Sequence, residues 1–550
     1  MIEAEISKPR IRRSIAIGLG VFLLALVLRL IHLGELVETE FFDERPFVTD
    51  ARYYDMRAAD ISEGDIYGTA PAFLSPHYCN ALSLVYRLPG FGLASAKYVQ
   101  AVLGAFSALL IFLITRKLFG DGAGALAGFS AASYGLFIYY AGVLLPATLL
   151  LFLHLVIVWV LINGVPSFRR ILLVGLLVGL TVGTKANALL LLPAIAAWLL
   201  YNFSDSKWGA KLSWIGALVL GSALSLAPIT YGNYETSGEF VLVATTGGRN
   251  LLKGNGATAN GTHIELNLKR RTSTLGTYLA GKVRPLAAVR EDNRLRDEAV
   301  EYMLEHPGKT AGLWLRKALI FLNRAELGIR DSYPFARTQT DLLGGPLIGF
   351  GLIIPIGLAG FLLLAFRDRN TALIALITGT QLASFMIVFV LARYRVVAVA
   401  LLIVFAGGLL AELIRAIRQK DFQKLSFCTI AIAVSIAVVH RPIEGLPEQP
   451  TTGEQLEYLG ESASLAGQFE KAIGYFEQAE QANFSLHEQV GRWRVRSRVG
   501  RSLLKLERVE DARELWTKLY YDIGNIDSKA GFDLILEIRE ELNALPPKPQ

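Results

Sequence analysis

The run SIAIGLGVFLLALVLRLIHL, residues 14–33, is followed by GELVETEFFDERPFVTDARYYDMRAADI, residues 34–61. The first stretch is apolar over about the 20 residues that a bilayer requires. The second reverses the composition at once, bringing Asp43, Glu44 and Asp50 together with aromatic residues. Carboxylates placed just beyond a span stand at the water–lipid boundary. Chemistry on a lipid-linked substrate has to occur at that boundary. Basic residues precede the apolar run but no small-residue cleavage site follows it, so 14–33 reads as a retained span and not as a removed leader.

The rest of the chain agrees with a membrane class. Of 550 residues, 53% are hydrophobic, and the mean hydropathy is +0.41. A soluble chain of that composition would expose large apolar patches, so the expected fold is an all-α polytopic membrane protein. The net charge of +7 is spread along the chain, and nothing in it suggests a nucleic-acid partner. Windows of about 20 apolar residues mark candidate spans near 14–33, 93–115, 122–141, 143–163, 171–185, 187–203, 212–231, 346–366, 371–391, 396–416 and 424–440. The total is ten or eleven, depending on whether 171–203 is one bent helix or two crossings.

Positive charges assign the sides. Lys8, Arg10, Arg12 and Arg13 precede the first span; Arg116 with Lys117, Arg169 with Arg170, and Lys207 with Lys211 follow later ones. Arg367 with Arg369, and the group Arg415, Arg418, Lys420 and Lys424, complete the series. All fall on one side if the spans alternate, which makes that side cytoplasmic. The N-terminus is then cytoplasmic. The loops 34–92 and 232–345 and everything after residue 440 face outwards, in what reads as a bacterial inner membrane. Cys79 falls in a loop and Cys428 in a span, so no disulfide and no metal cluster is expected from them.

Tyr54, Ala58 and Ile61 recur at helical spacing and predict a short surface helix. Thr49 or Asp50 can serve as its N-cap. Asp50-Ala51-Arg52-Tyr53-Tyr54, Gly64-Asp65, Ser75-Pro76-His77-Tyr78, Gly90 and Gln100 form an ordered pattern. Lys185-Ala186-Asn187, Leu192-Pro193, Pro228, Asn233-Tyr234, Gly247-Gly248-Arg249-Asn250, Arg316-Lys317, Glu326 and Arg393-Tyr394-Arg395 continue it. Over roughly residues 10–415 the chain resembles the GT-C polytopic glycosyltransferases, in particular the glycosyltransferase family 39, ArnT-like and protein O-mannosyltransferase group.

That resemblance implies sugar transfer from a polyprenyl-phosphate donor to a lipid, glycan or protein hydroxyl outside the cytoplasmic membrane. An acid of the first outer loop would act as base, and Asp50 holds the matching position. A hydroxyl is a poor nucleophile, and a positioned carboxylate can remove its proton during attack. Asp43 and Glu44 are the alternates, which also read as a solvated acidic turn beside Arg45-Pro46. The leaving lipid phosphate needs cations. Arg393, Arg395 and Lys185, expected at the outer ends of spans, are candidates for that role, although each alone can snorkel to lipid headgroups. Relatives often carry a second acid where this chain reads Leu144-Leu145-Pro146-Ala147-Thr148-Leu149, so Ala147 leaves metal dependence and acceptor choice open. No cofactor is demanded, and a divalent metal remains possible.

Gly247, Gly248, Gly254 and Gly256 imitate a phosphate loop, but no Gly-Lys-Ser/Thr follows and no helix is evidently opened, so turns explain them. Gly175, Gly179 and Gly183 repeat every fourth residue, which is a helix-packing face. His154 inside a span reads as a bonded core residue. After a linker at 441–452, residues 453–550 are charged and amphipathic. Leu459-Gly460, Ala472, Phe476 and Ala479, echoed by Gly500, Ala512 and Trp516, resemble tetratricopeptide repeats and suggest a protein partner. A transporter or flippase of a lipid-linked intermediate, or a non-catalytic scaffold, are the rival readings. Ala147 keeps the scaffold in play, and the scarcity of acids within the spans weighs against a transporter.

Overall fold

The computed structural model describes residues 2–39, 42, 49–262, 275–328, 332–446, 452–465, 467–482, 484, 488–523 and 529–546. The elements among them are all helices, and the β-pairing is one isolated bridge, Tyr134 to Ile348. The order is α1 (Ile2–Val37), α2 (Asp50–Ser62), α3 (Pro76–Tyr86), α4 (Leu93–Phe119), α5 (Asp121–Ala132), α6 (Gly135–Gly142), α7 (Ala147–Ile162) and α8 (Phe168–Thr184). A 3₁₀ turn (Ala186–Leu190) leads to α9 (Leu191–Asn202), α10 (Trp208–Ser237), α11 (Gly247–Asn255), α12 (Leu275–Leu279), α13 (Pro285–Glu305) and α14 (Pro307–Leu322). Then come α15 (Tyr333–Gln339), α16 (Asp341–Gly344), α17 (Phe350–Leu364), α18 (Arg369–Ile387), α19 (Ala392–Gln419) and α20 (Phe422–Val439). The tail holds α21 (Thr452–Leu465), α22 (Phe469–Gln481), α23 (Glu488–Lys505), α24 (Val509–Ile523) and α25 (Lys529–Ala544).

Among the described residues, six helices are long and apolar enough to cross a membrane: Arg12–Val37 of α1, and α4, α10, α18, α19 and α20. A seventh crossing arises if α6 and α7, bent by 119°, count as one. The other expected spans fold as shorter pieces, for identifiable reasons. The run 122–141 is interrupted at Tyr134, whose backbone pairs with Ile348, and Pro146 separates α6 from α7. The helix that contains Arg169 and Arg170, α8, stops at Lys185, which is extended (φ −153°, ψ 110°). The 15 residues of α17 reach about 22 Å, short of a hydrocarbon core of about 30 Å.

Small residues set the closest helix contacts. A Cβ on Gly175 would lie 2.4 Å from the Leu218 carbonyl oxygen, and one on Gly221 would lie 2.4 Å from that of Leu172. Gly179 meets Ser222 and Ser225 in the same way, so α8 and α10 pack backbone to backbone. Gly183, the next in the series, instead accommodates His77 of α3. Exposed aromatics mark two levels on the bundle: Tyr201 and Trp208 at one, Tyr231 and Tyr234 at the other. Trp208 and Tyr231 are about 35 Å apart along α10, the spacing of two membrane interfaces.

The basic helix ends gather together. Glu412 of α19 accepts Lys424 at 2.5 Å, Arg415 at 2.8 Å and Arg367 at 3.5 Å. The Arg367 guanidinium also lies over Phe119 at the end of α4, and that of Arg369 over Phe203 beyond α9. Cations between residues 367 and 424 thus meet one another, and aromatic residues as distant in sequence as Phe119, at one end of the helix layer.

The chain divides into two compact units. The first holds the helices described so far from Tyr53 onward, together with α1. The second gathers the described residues of 44–52 and 325–336 with the tail from Gly445. In the tail, Gly460 of α21 faces the Phe476 ring of α22, and Gly500 of α23 faces the Trp516 indole of α24. The Trp516 Nε1 donates to the Ser497 carbonyl at 2.9 Å, so the large side chain is satisfied while fully buried. Arg494 grips Glu457 with two nitrogens, at 2.5 and 2.7 Å.

Candidate functional site

The surface helix expected after the first span is α2, and its inner face is Tyr54, Ala58 and Ile61 with Tyr53, all buried. Thr49 caps it: its Oγ1 accepts the Arg52 N–H at 3.2 Å. Asp50 is the first residue of the helix, where a carboxylate is favoured by the helix dipole. Asp43 and Glu44 lie outside the described residues.

Tyr54, one turn beyond Asp50, shares a hydrogen bond with Ser75 (3.1 Å) and meets Tyr78 edge to face at 4.9 Å. Tyr78 donates to Gln100 Oε1 at 2.8 Å, and Gln100 donates to the Val143 carbonyl at 2.8 Å. A ring contact and two hydrogen bonds in series therefore tie α2 through α3 and α4 to the break between α6 and α7. Cys79, expected in a loop, is inside α3 and buried, and burial pushes its thiol up to about 12. Loop-like residues around it (Ser75-Pro76) open the helix: Pro fits its first turn.

The candidate phosphate cations separate into two kinds. Lys185, at the break after α8, puts its ammonium 3.8 Å from the centroid of the Tyr394 ring. The Arg393 guanidinium lies 5.3 Å from the same ring. Residues 208 positions apart in sequence thus meet at one aromatic side chain, and both are half-buried. Arg395 is placed differently. It is 1% exposed, donates to the carbonyls of Asn323 (2.6 Å) and Phe321 (3.2 Å), and stacks over Phe350 at 4.2 Å. It braces the backbone that follows α14.

The turn carrying Arg393 is held from the segment 232–345. Lys317 of α14 is fully buried and donates to Asn255 Oδ1 (2.8 Å) and the Met386 carbonyl (2.9 Å). Asn255 donates to the Ile387 carbonyl at 2.6 Å, and Val390 N–H to that of Gly261 at 3.0 Å. Carbonyls at the end of α18, which have no partner within the helix, are thereby satisfied. Burial lowers the Lys317 pKa to about 7.

Gly247 and Gly248 correct a sequence expectation, because they open a helix, α11. Its N-terminus is filled from within: Asp292 accepts Gly248 N–H at 3.1 Å and Arg249 N–H at 3.0 Å, and Arg249 pairs with Glu291 at 3.1 Å. A Cβ at Gly248 would collide with the Asp292 backbone oxygen. Burial raises the Asp292 carboxyl. Lys317 and Tyr394 stand in the ordered sequence pattern without a role of their own, and long-range packing supplies their partners, Asn255 for Lys317 and Lys185 for Tyr394. Ala147 is buried as the first residue of α7. His154 bonds the Leu150 carbonyl and Gln381, in keeping with a core role. Among the described residues, no group of three or more His, Cys, Asp or Glu converges as a metal site.

Fold and site together define a multi-pass helical membrane protein whose cationic cluster lies near the ends of its spans. Residues 75–231 match the family model described as dolichyl-phosphate-mannose-protein mannosyltransferase, within the stretch whose residues resemble GT-C enzymes. No curated protein matches the chain. Among solved structures, it is similar to the oligosaccharyltransferase AglB from Archaeoglobus fulgidus in complex with an inhibitory peptide and a dolichol-phosphate. The identity is 13% and the TM-score 0.45, covering 85% of this chain and 60% of that one. It is also similar to ArnT from Cupriavidus metallidurans bound to undecaprenyl phosphate, at 13% identity and a TM-score of 0.40, covering 95% and 81%. The chain spans less than two thirds of the archaeal enzyme's length.

Proposed function

We propose that this protein transfers a sugar from a polyprenyl-phosphate donor to a hydroxyl of a lipid, glycan or protein, on the membrane face opposite the basic helix ends. The observation that carries the reading is the meeting of Lys185 and Arg393 at Tyr394, about 28 Å along α19 from the Glu412 cluster. Cations held there would bind the donor phosphate. Arg395 would act as a positioning residue by fixing the chain beside Arg393. The family match over 75–231 supports the glycosyl-transfer class, since that family uses a polyprenyl-phosphate sugar.

In the proposed reaction, Asp50 takes the acceptor hydroxyl proton as the oxygen attacks the anomeric carbon. The bond from that carbon to the phosphate oxygen breaks, and its electron pair leaves with polyprenyl phosphate. Attack opposite the leaving group inverts the anomeric configuration. The cationic pair stabilises charge gathering on the departing phosphate. The basic helix ends would face the cytoplasm, with the outer loops and the tail on the far side. The tail would present its helix pairs to a protein partner.

The test is transfer by purified protein in nanodiscs, using a panel of radiolabelled polyprenyl-phosphate sugars and membrane extract as acceptor. Wild-type transfer that collapses in Asp50→Asn supports both reaction and base. Equal transfer by the two proteins removes Asp50 from the mechanism and moves the base to Asp43 or Glu44. No transfer by folded wild type across the panel defeats the reading.

A further inference from the structure

A groove of about 380 Å³ opens between α17, α19 and α20 at the basic end of the helix layer, remote from the Lys185–Arg393 pair. Leu363, Leu364, Leu409 and Phe427 form its apolar wall, and Glu412 and Lys424 stand at its polar side. Arg367 and Arg415 reach the same Glu412 carboxylate. Three cations around one carboxylate leave an excess of positive charge, and Asp421, which also lines the groove, does not remove it. The side chains of Arg367, Arg415 and Lys424 are each 44–46% exposed, while that of Glu412 is 7% exposed. The acid gathers the cations from inside, and their outer surfaces remain open to a ligand.

The flank of the groove is apolar. Phe422, Phe427, Ile430 and Val434 of α20 are 53–72% exposed and run away from the charged rim along a helix that can cross a membrane. An anion for this rim therefore arrives with hydrocarbon attached, already embedded beside α20. We infer that the groove binds the headgroup of an anionic phospholipid, with the phosphate at Arg367, Arg415 and Lys424 and the acyl chains along α20. A zwitterionic phospholipid carries its own ammonium into the same positive rim and binds less well. This inference is independent of the glycosyl-transfer reading.

Native mass spectrometry of the full-length protein in detergent, titrated with phosphatidylglycerol or phosphatidylcholine, tests it. Wild type should retain phosphatidylglycerol about tenfold more strongly than phosphatidylcholine. Arg367→Gln with Arg415→Gln should lose that preference. Gln423→Trp, at an exposed position lining the groove, keeps every charge and should lose the adduct by filling the space. Equal retention of the two lipids by wild type overturns the inference whatever the variants do. So does an undiminished phosphatidylglycerol preference in Gln423→Trp, which would place the lipid on another basic surface.

Discussion

The two ends of α19 treat their cations in opposite ways. At Glu412 three basic side chains share one buried carboxylate, which gathers them from inside and leaves their outer surfaces exposed. At Arg393 and Lys185 the meeting point is an aromatic ring, which attracts a cation through its quadrupole. A buried carboxylate gathers helices together with their cations. A ring shared by two cations brings charges from distant parts of the chain to one place. The same residue types thus divide between architecture and chemistry according to what they face.

The strongest test of this division is Asp50→Asn. A positioned general base contributes about 10²- to 10⁴-fold, so transfer by the folded protein should fall by that factor. Next come Lys185→Met and Arg393→Gln. Each removes one charge from the ring-bound pair and should reduce transfer about 10²-fold, with Arg393→Lys recovering part of it. Transfer assays on Arg367→Gln supply the contrast, since a cation of the carboxylate end should leave turnover unchanged. If Arg367→Gln proves as damaging as Arg393→Gln, the two ends do not differ as argued.

Glu412→Gln probes the other end. It leaves three cations around an uncharged amide and should cost about 1–3 kcal/mol of stability, read from thermal or denaturant unfolding, with transfer by the folded fraction unchanged. A neutral result would mean that solvent and lipid phosphates satisfy those cations without the carboxylate.

How much of this could be read from the chain alone follows from the range of each signal. Spans such as 93–115 and 396–416 declare themselves through continuous hydropathy, and the Gly175–Gly179 packing face through its four-residue period. Short apolar helices such as α17 leave the same compositional trace as a full span, and only the packed structure reveals their length. The Lys185–Tyr394 contact joins residues more than 200 positions apart, and no local pattern encodes it. Gly247 and Gly248 misled for a related reason. Their helix is opened by Asp292, whose carboxylate lies over 40 residues downstream, so a turn and a capped helix look alike in sequence.

The smallest effect concerns the brace beneath Arg393. Lys317 has an ordinary pKa of 10.5 and a native value near 7. Between those values the unfolded chain binds the additional proton, so stability should rise with pH from about 7 towards about 10 and be independent of this group below 7. Lys317→Met removes the titration and both hydrogen bonds to α18 and Asn255. The difference in unfolding temperature between wild type and Lys317→Met should therefore widen, in favour of wild type, between about pH 7 and about pH 9. Widening shows that the native amine is held neutral and adds no positive charge to those of Lys185, Arg393 and Arg395 at this end of α19. A flat difference means that Lys317 keeps its proton when buried, and a further full charge then belongs to the chemistry of that end.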